Sequence, residues 1–183
     1  MALANWAGNV RFGAERVETP ASVDEVQEVL ASATRVRALG SAHSFNLIAD
    51  TDDTLLSTAR LITAPRIDTE ARTVTVGGGM RYGELAPALE AEGWALGNLA
   101  SLPHISIAGA IATGTHGSGD GVGTLSSAVA GLQLVTPAGE VRELRRGDAD
   151  FDGAVVSLGA LGVVTEVTLD IEPTFAIRQR VYE

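Results

Sequence analysis

The sequence predicts an α+β fold, and three observations carry that reading. Several short segments alternate apolar and polar residues, only a few segments have helical periodicity, and the two kinds follow no regular βαβ rhythm. The 183 residues suffice for one large domain or two small packed subdomains.

The elements can be taken in chain order. Ser22 to Ala33 reads as a helix: Pro20 precedes it, Ser22 and Glu25 have capping-box spacing, and Val23, Val26, Val29 and Leu30 share one face. Arg35 to Leu39 is a short alternating strand running into Gly40-Ser41-Ala42-His43-Ser44. Thr54 to Ser57 and Arg72 to Val76 are further strands, the second ended by Gly77-Gly78-Gly79. Tyr82 to Glu92 fits a helix with Leu85 and Leu89 inward, although Pro87 blurs its start. Ala130 to Thr136 and Glu140 to Leu144 flank Pro137-Ala138-Gly139, a hairpin signal. Asp152 to Leu158 is a short buried helix or turn, and Val163 to Ile171 a last alternating strand. Glu172-Pro173-Thr174 is the one boundary signal, which sets off 174–183 as the opening of a further domain.

Composition excludes whole classes of chemistry. All 13 basic residues are arginine, so Schiff-base lysines and a Walker-type phosphate lysine are ruled out. With no cysteine there is no disulfide, thiolate nucleophile or iron–sulfur cluster. A net charge of −10 without a basic cluster argues against nucleic acid and anionic membrane surfaces as partners. The first fifteen residues lack a basic stretch followed by an apolar one, so no secretory signal is expected and the cytoplasm is the default setting. Gly93 to Gly119 carries no charge, yet Asn98, Pro103, His104, Thr113 and several glycines break any membrane-spanning helix there.

Two segments concentrate glycine, serine and threonine beside strand ends: Leu39 to Asn46 and Ser101 to Gly123. Such loops expose consecutive backbone N–H groups, which bind phosphate without a cation. A single loop of this kind is more often an ordinary turn; two long ones, each with a histidine, favour an anion site. Neither G-x-G-x-x-G nor a Walker motif is present, so a Rossmann dinucleotide site is a poor reading.

These residues carry a resemblance. Arg37-Ala38-Leu39-Gly40-Ser41-Ala42-His43-Ser44-Phe45-Asn46 resembles the first flavin loop of the vanillyl-alcohol oxidase family, and within it the alditol (xylitol) and sugar-lactone oxidases. Asn5-Trp6-Ala7-Gly8-Asn9 resembles the opening of those enzymes. Ser101 to Gly109 and Ala112 to Gly119 resemble their second flavin loop, and Ser157 to Thr165 the segment that closes over the adenine end. The motifs come in the family's order and cover nearly the whole chain.

The resemblance implies a PCMH-type FAD-binding domain over 1–173, made of two α+β subdomains, about 1–61 and 62–173, with FAD between them. Carried over by position, Gly40, Ser41, Ala42, His43, Ser44 and Phe45 wrap the pyrophosphate, and His43 is the flavin-linked histidine. Ser101, Ser106, Gly109, Thr113, Gly114, Thr115 and His116 hold flavin and pyrophosphate, and the Val164 backbone meets the adenine. Ala42 stands where the family has glycine, a strained choice if that position has positive φ. Ala100 lies where relatives place a small residue controlling oxygen access, which points to an oxidase.

The implied chemistry at His43 is the attack of a neutral imidazole nitrogen on the flavin's C8α carbon, helped by a loop that holds the ring in place. Without the motif, a histidine bonded to nearby backbone would be the better reading. His104 reads as structural and His116 as lining the flavin site; a three-histidine metal site has no supporting spacing. Asp50, Asp52 and Asp53 read as a solvated turn rather than paired catalytic carboxylates. The full-length relatives imply a polyol as substrate, oxidised at a terminal alcohol, with O2 as acceptor. The alternatives are the FAD domain of a sugar-1,4-lactone oxidase or dehydrogenase, a stand-alone flavin carrier serving a partner subunit, and an anion-binding module without flavin.

Overall fold

The structure, a computed structural model, describes residues Leu3 to Arg178 together with Arg180 and Val181. Its first part is built on a parallel sheet of β1 (Arg16–Glu18), β2 (Val36–Leu39) and β3 (Thr54–Ser57), in the order β1-β3-β2. Helix α1 (Val23–Ser32) links β1 to β2. Ser22 caps it, its Oγ accepting from the Glu25 N–H at 3.2 Å. The Glu25 carboxylate reaches past the cap residue to the Ala21 N–H at 2.7 Å, one position beyond the expected capping box.

The second part is a five-stranded antiparallel sheet in the order β4-β5-β9-β7-β8, comprising β4 (Arg66–Asp68), β5 (Thr73–Gly77), β7 (Val129–Val135), β8 (Val141–Arg145) and β9 (Val163–Asp170). In β9 burial alternates perfectly: Val163, Thr165, Val167 and Leu169 point inward. Helices α2 (Tyr82–Ala91), α3 (Ile107–Ala112) and α4 (Phe151–Val155) complete this part. Their apolar side chains form one core with the sheet, including Leu85, Leu89, Ile107, Ile111, Phe151 and Val167.

Three findings refine the sequence expectations. Helix α2 continues through Pro87, and the burial of Tyr82, Leu85 and Leu89 against the core holds it in place where the proline removes a bond to the Gly83 carbonyl. The uncharged Gly93–Gly119 segment supplies β6 (Trp94–Ala95) and α3, and buries Leu96 and Ile105 to Ala108. Among the described residues no helix is long and apolar enough to cross a membrane. Glu172-Pro173 is β10, paired antiparallel with β6, and the Thr174 N–H donates to the Gly93 carbonyl, so the chain remains attached through this proline.

A small shared core joins the two sheets. Val26 of α1 and Leu56 of β3 pack with Leu61, Val135 of β7 and Val163 of β9, all buried. This seam leaves a cleft open where β2 and β3 end. Ligand crevices outside the carboxyl ends of parallel strands have the same origin: loops diverge there and leave backbone groups free.

Candidate functional site

The cleft is walled on one side by the loop that leaves β2, Gly40 to Ser44 with Asn46 and Ile48, and by Thr58 after β3. The other wall is α3 with its flanks, from Ile105 through Ala108, Gly109 and Ala112 to Thr113 and Thr115. Ser157, Leu158, Gly159, Gly162 and Val164 close the far end. The Leu158 N–H donates to the Ala112 carbonyl at 3.1 Å, which ties this end loop to α3. No Asp, Glu or Arg lines the cleft among the described residues. A separate concavity over the five-stranded sheet is lined by charged groups such as Arg66, Glu143 and Glu166, and none of the predicted site residues reaches it.

The two walls meet at Ser41 and Ser106. The Ser41 N–H donates to the Ser106 Oγ at 3.2 Å, while the Ser106 N–H donates to the Ser41 Oγ at 3.0 Å. Behind them Gly40 lies so close that an added Cβ would stand 2.4 Å from the Ser106 Oγ and 3.5 Å from the Gly109 Cα. Small residues at 40 and 109 therefore let the two backbones approach closely at the cleft floor.

His43 sits two residues further along this loop. Its Nδ1 is 3.1 Å from the Ser41 Oγ, and its Nε2 is buried without a hydrogen-bond partner among the described residues. The ring stacks on Trp6 with centroids 5.1 Å apart and 21° between planes, and lies 4.7 Å from the ring of His104. Burial chiefly, then the nearby His104 and Arg81, holds His43 below the ordinary histidine pKa, with a hydrogen bond from its ring to the Ser41 backbone opposing them. The imidazole is therefore neutral at physiological pH, the nucleophilic form.

The N-terminal segment fixes this loop. Asn5, buried, accepts from the Val10 N–H at 3.0 Å and donates to the Ser44 carbonyl at 3.0 Å, while the Trp6 N–H donates to the Ala42 carbonyl at 2.8 Å. Ala42 has φ of +56°, the left-handed conformation that its place in the motif foreshadows.

Of the predicted site residues, Gly40 to Ser44, Gly109, Thr113, Thr115 and Val164 line the cleft, and Ser106 supports its floor. Phe45 and Ser101 are exposed away from the lining. Gly114 and His116 also stand outside it; the His116 Nδ1 lies 2.9 Å from the Gly117 carbonyl. Ala100 packs against the main core. Asp53 is a structural acceptor, taking the N–H groups of Thr34 and Arg35 at 2.8 and 2.9 Å and a bond from Arg16 at 2.8 Å. Residue-by-residue reading missed Thr58, Ala108 and Leu158 in the lining, and it left His104 apart from His43. The Ser101–Gly109 and Ser157–Thr165 motifs contain Ala108 and Leu158, whereas no local signal points to Thr58.

Comparison with known proteins accounts for this geometry. Residues 14–145 match the family model described as FAD binding domain. The chain belongs to that family. The FAD-binding domain is 50% identical over 184 residues to the alditol oxidase of Streptomyces sp. (strain IKD472 / FERM P-14339), covering 99% of this chain and 44% of that protein. It is 39% identical over 180 residues to the L-gulono-1,4-lactone dehydrogenase of Mycobacterium tuberculosis (strain CDC 1551 / Oshkosh), covering 96% and 42%. It is 36% identical over 184 residues to the L-gulonolactone oxidase of Bos taurus, covering 97% and 42%. The chain spans less than half the length of these relatives.

The residues fit the cofactor. A dinucleotide carries two phosphates into a cleft that brings glycine backbone and hydroxyl groups to its floor and, among the described residues, no carboxylate to repel them. The orphaned His43 Nε2 leaves that ring with bonding capacity the protein does not use.

Proposed function

We propose that this FAD-binding domain is the flavin portion of an oxidase that acts on a terminal alcohol of a polyol, an alditol such as xylitol or sorbitol, with O2 as acceptor and H2O2 as product. The similarity to alditol oxidase over nearly the whole chain supports the substrate class. When bound, the flavin accepts a hydride from the alcohol carbon and passes the electrons to O2. The domain's own residues do the rest of the holding. The Gly40–Ser44 loop and α3 bind the pyrophosphate, Val164 and the 157–162 loop enclose the adenine end, and the small Ala100 leaves O2 a path.

A second reading follows from the resemblance to a lactone dehydrogenase and a lactone oxidase, and gives the domain a sugar-1,4-lactone as substrate. In either reading, substrate positioning belongs to the length of the relatives that this chain does not match, beginning near 174–183.

The observation that carries the cofactor chemistry is the neutral, stacked and partly unpartnered ring of His43 in the cleft wall. It supports a covalent bond between a His43 ring nitrogen and the flavin's 8-methyl carbon. Protein purified with FAD should leave a fluorescent band after denaturing electrophoresis, and His43→Ala should leave none. A dark band from yellow protein removes the tether and leaves FAD binding standing. Substrate class is tested by mixing the loaded chain anaerobically with xylitol, sorbitol or a gulonolactone and following flavin absorbance. Bleaching by the isolated chain should be orders of magnitude slower than by a full-length relative, because hydride transfer needs the alcohol carbon within about 3–3.5 Å of the flavin. Rapid bleaching would place the substrate site within these residues.

A further inference from the structure

The loop that closes the far end of the cleft turns back on itself at 157–160, where the Ala160 N–H donates to the Ser157 carbonyl at 2.9 Å. Both central residues of this turn have positive φ, +54° at Leu158 and +70° at Gly159. Two positive φ angles in a row mark a type I′ turn, which Asn-Gly, Asp-Gly or Gly-Gly form most easily. Gly159 obeys that rule. Leu158 breaks it, because in the left-handed region its Cβ crowds the following carbonyl.

The fold gives no reason for a leucine at this place. Leu158 is 47% exposed and belongs to none of the apolar clusters among the described residues. Its backbone bond to the Ala112 carbonyl would form as well from asparagine or glycine. The loop has its anchor elsewhere: at Gly162 it runs so close to β7 that a Cβ would stand 2.2 Å from the Val135 carbonyl oxygen. Val156 and Leu161 are exposed to the same degree as Leu158, yet of the three only Leu158 lines the cleft. Backbone strain of this kind persists where function requires it, and ligand clamps are one such place.

We propose that Leu158 is a specificity-determining residue for the cofactor: its side chain packs on the adenine ring, so the cleft prefers FAD to flavins that lack the adenosine half. The proposal rests on the reading that the 157–162 loop encloses the adenine end. An adenine ring presents a flat, uncharged face that gains from apolar cover, whereas a pyrophosphate or a ribitol chain gains nothing from a leucine. Of Ser157, Leu158, Gly159, Gly162 and Val164, which line this end, only Leu158 and Val164 carry apolar side chains.

The test uses the whole chain, prepared without flavin and titrated anaerobically, so that no O2 is present to complete a tether. Leu158→Asn installs a residue that the turn prefers and removes the apolar side chain. Leu158→Ala removes the same contact and leaves the strain in place. Both should bind FAD at least about fivefold more weakly than wild type, the loss expected for a half-covered leucine contact. ADP, the adenine half alone, should weaken in parallel. FMN lacks that half and should bind wild type and both variants within about twofold of one another. Flavin-free Leu158→Asn should melt above wild type, since the turn relaxes and no core contact is lost. Affinity and stability thus move in opposite directions. Wild-type FAD affinity in either variant, or a flavin-free Leu158→Asn that melts below wild type, overturns the role of Leu158 and leaves the adenine end where it is. An FMN loss as large as the FAD loss would instead overturn the placement of the adenine end, and the role of Leu158 with it.

Discussion

Ser41 and Ser106 exchange hydrogen bonds through the same two groups on each residue, backbone N–H to side-chain Oγ, at 3.2 and 3.0 Å. One residue belongs to the loop after β2 and the other caps α3, so this pair clasps the two parts of the fold at the cleft floor. Ser41 has a third contact, to the His43 Nδ1. Its hydroxyl thus links the clasp to the ring that carries the proposed tether. Ser41→Ala leaves the buried Ser106 N–H without an acceptor, a loss worth about 1–3 kcal/mol. The melting temperature should fall by several degrees, at roughly 2–4 °C per kcal/mol for a chain of this size. FAD affinity should fall with it. Unchanged melting and affinity would show that water or the neighbouring backbone replaces the clasp.

Gly40 makes the same junction sensitive to a single methyl group. A Cβ there would stand 2.4 Å from the Ser106 Oγ, and that oxygen cannot turn away without dropping the Ser41 N–H. Gly40→Ala should therefore push the walls apart and lower FAD affinity by a factor of about ten or more, equivalent to ~1.4 kcal/mol or above. Titration of flavin-free protein with FAD measures it.

Ala42 is a case where the present residue is the worse choice. At φ of +56° its methyl group crowds the following carbonyl, a strain of roughly 1–2 kcal/mol that glycine escapes. Part of that gain is offset by the greater freedom of glycine in the unfolded chain. Ala42→Gly should still raise the melting temperature slightly, while Ala42→Val should lower it. Thermal denaturation of the two variants side by side decides the matter.

Much of this was legible in the sequence, and the gaps have physical causes. Helix α1 and strand β9 declare themselves because each buries one face and wets the other, as Val26 and the Val163–Leu169 alternation show. Strand β1 gives no such signal, since all three of its residues are exposed and its only reason to be a strand is the neighbouring β3. Helix α3 reads as a glycine-rich loop because it is short and buried on most sides, which erases helical periodicity. The loop around His43 was visible as a motif. The contact between His43 and His104 was not, because it joins residues from separate parts of the chain, and no local pattern encodes it.

The cleft lining also predicts how FAD affinity responds to salt. With no charged side chain in the lining among the described residues, the proposed site leaves the phosphates to backbone and hydroxyl groups at short range. Raising the salt from about 0.1 to 0.5 M, which shortens the screening length well below 10 Å, should change affinity by no more than about threefold. Replacing arginines one at a time should likewise leave FAD bound. A single arginine whose removal releases the flavin would show that a cation, not the amide floor, holds the phosphates.

Acid should loosen the parallel sheet through Asp53. Its carboxylate accepts from Arg16 at 2.8 Å, from the Thr34 and Arg35 N–H groups at 2.8 and 2.9 Å, and from the Thr54 hydroxyl at 2.9 Å. It thereby binds β1 to the residues that open β2 and β3. The Arg16 bond, followed by those from Arg35 and Thr54, holds Asp53 far below the usual carboxylate range. A depressed folded-state pKa means that the unfolded chain takes up the proton first on acidification. The contribution of Asp53 to stability is therefore complete above its ordinary value of about 3.9 and drains away as the pH falls through the depressed one. Asp53→Asn removes the charge and one of the two equivalent oxygens while keeping the size. It should melt below wild type at pH 7, and the gap between the two should narrow steadily below about pH 4. Parallel melting curves across that range, with a gap that does not close, would show that the carboxylate's geometry rather than its charge secures the parallel sheet.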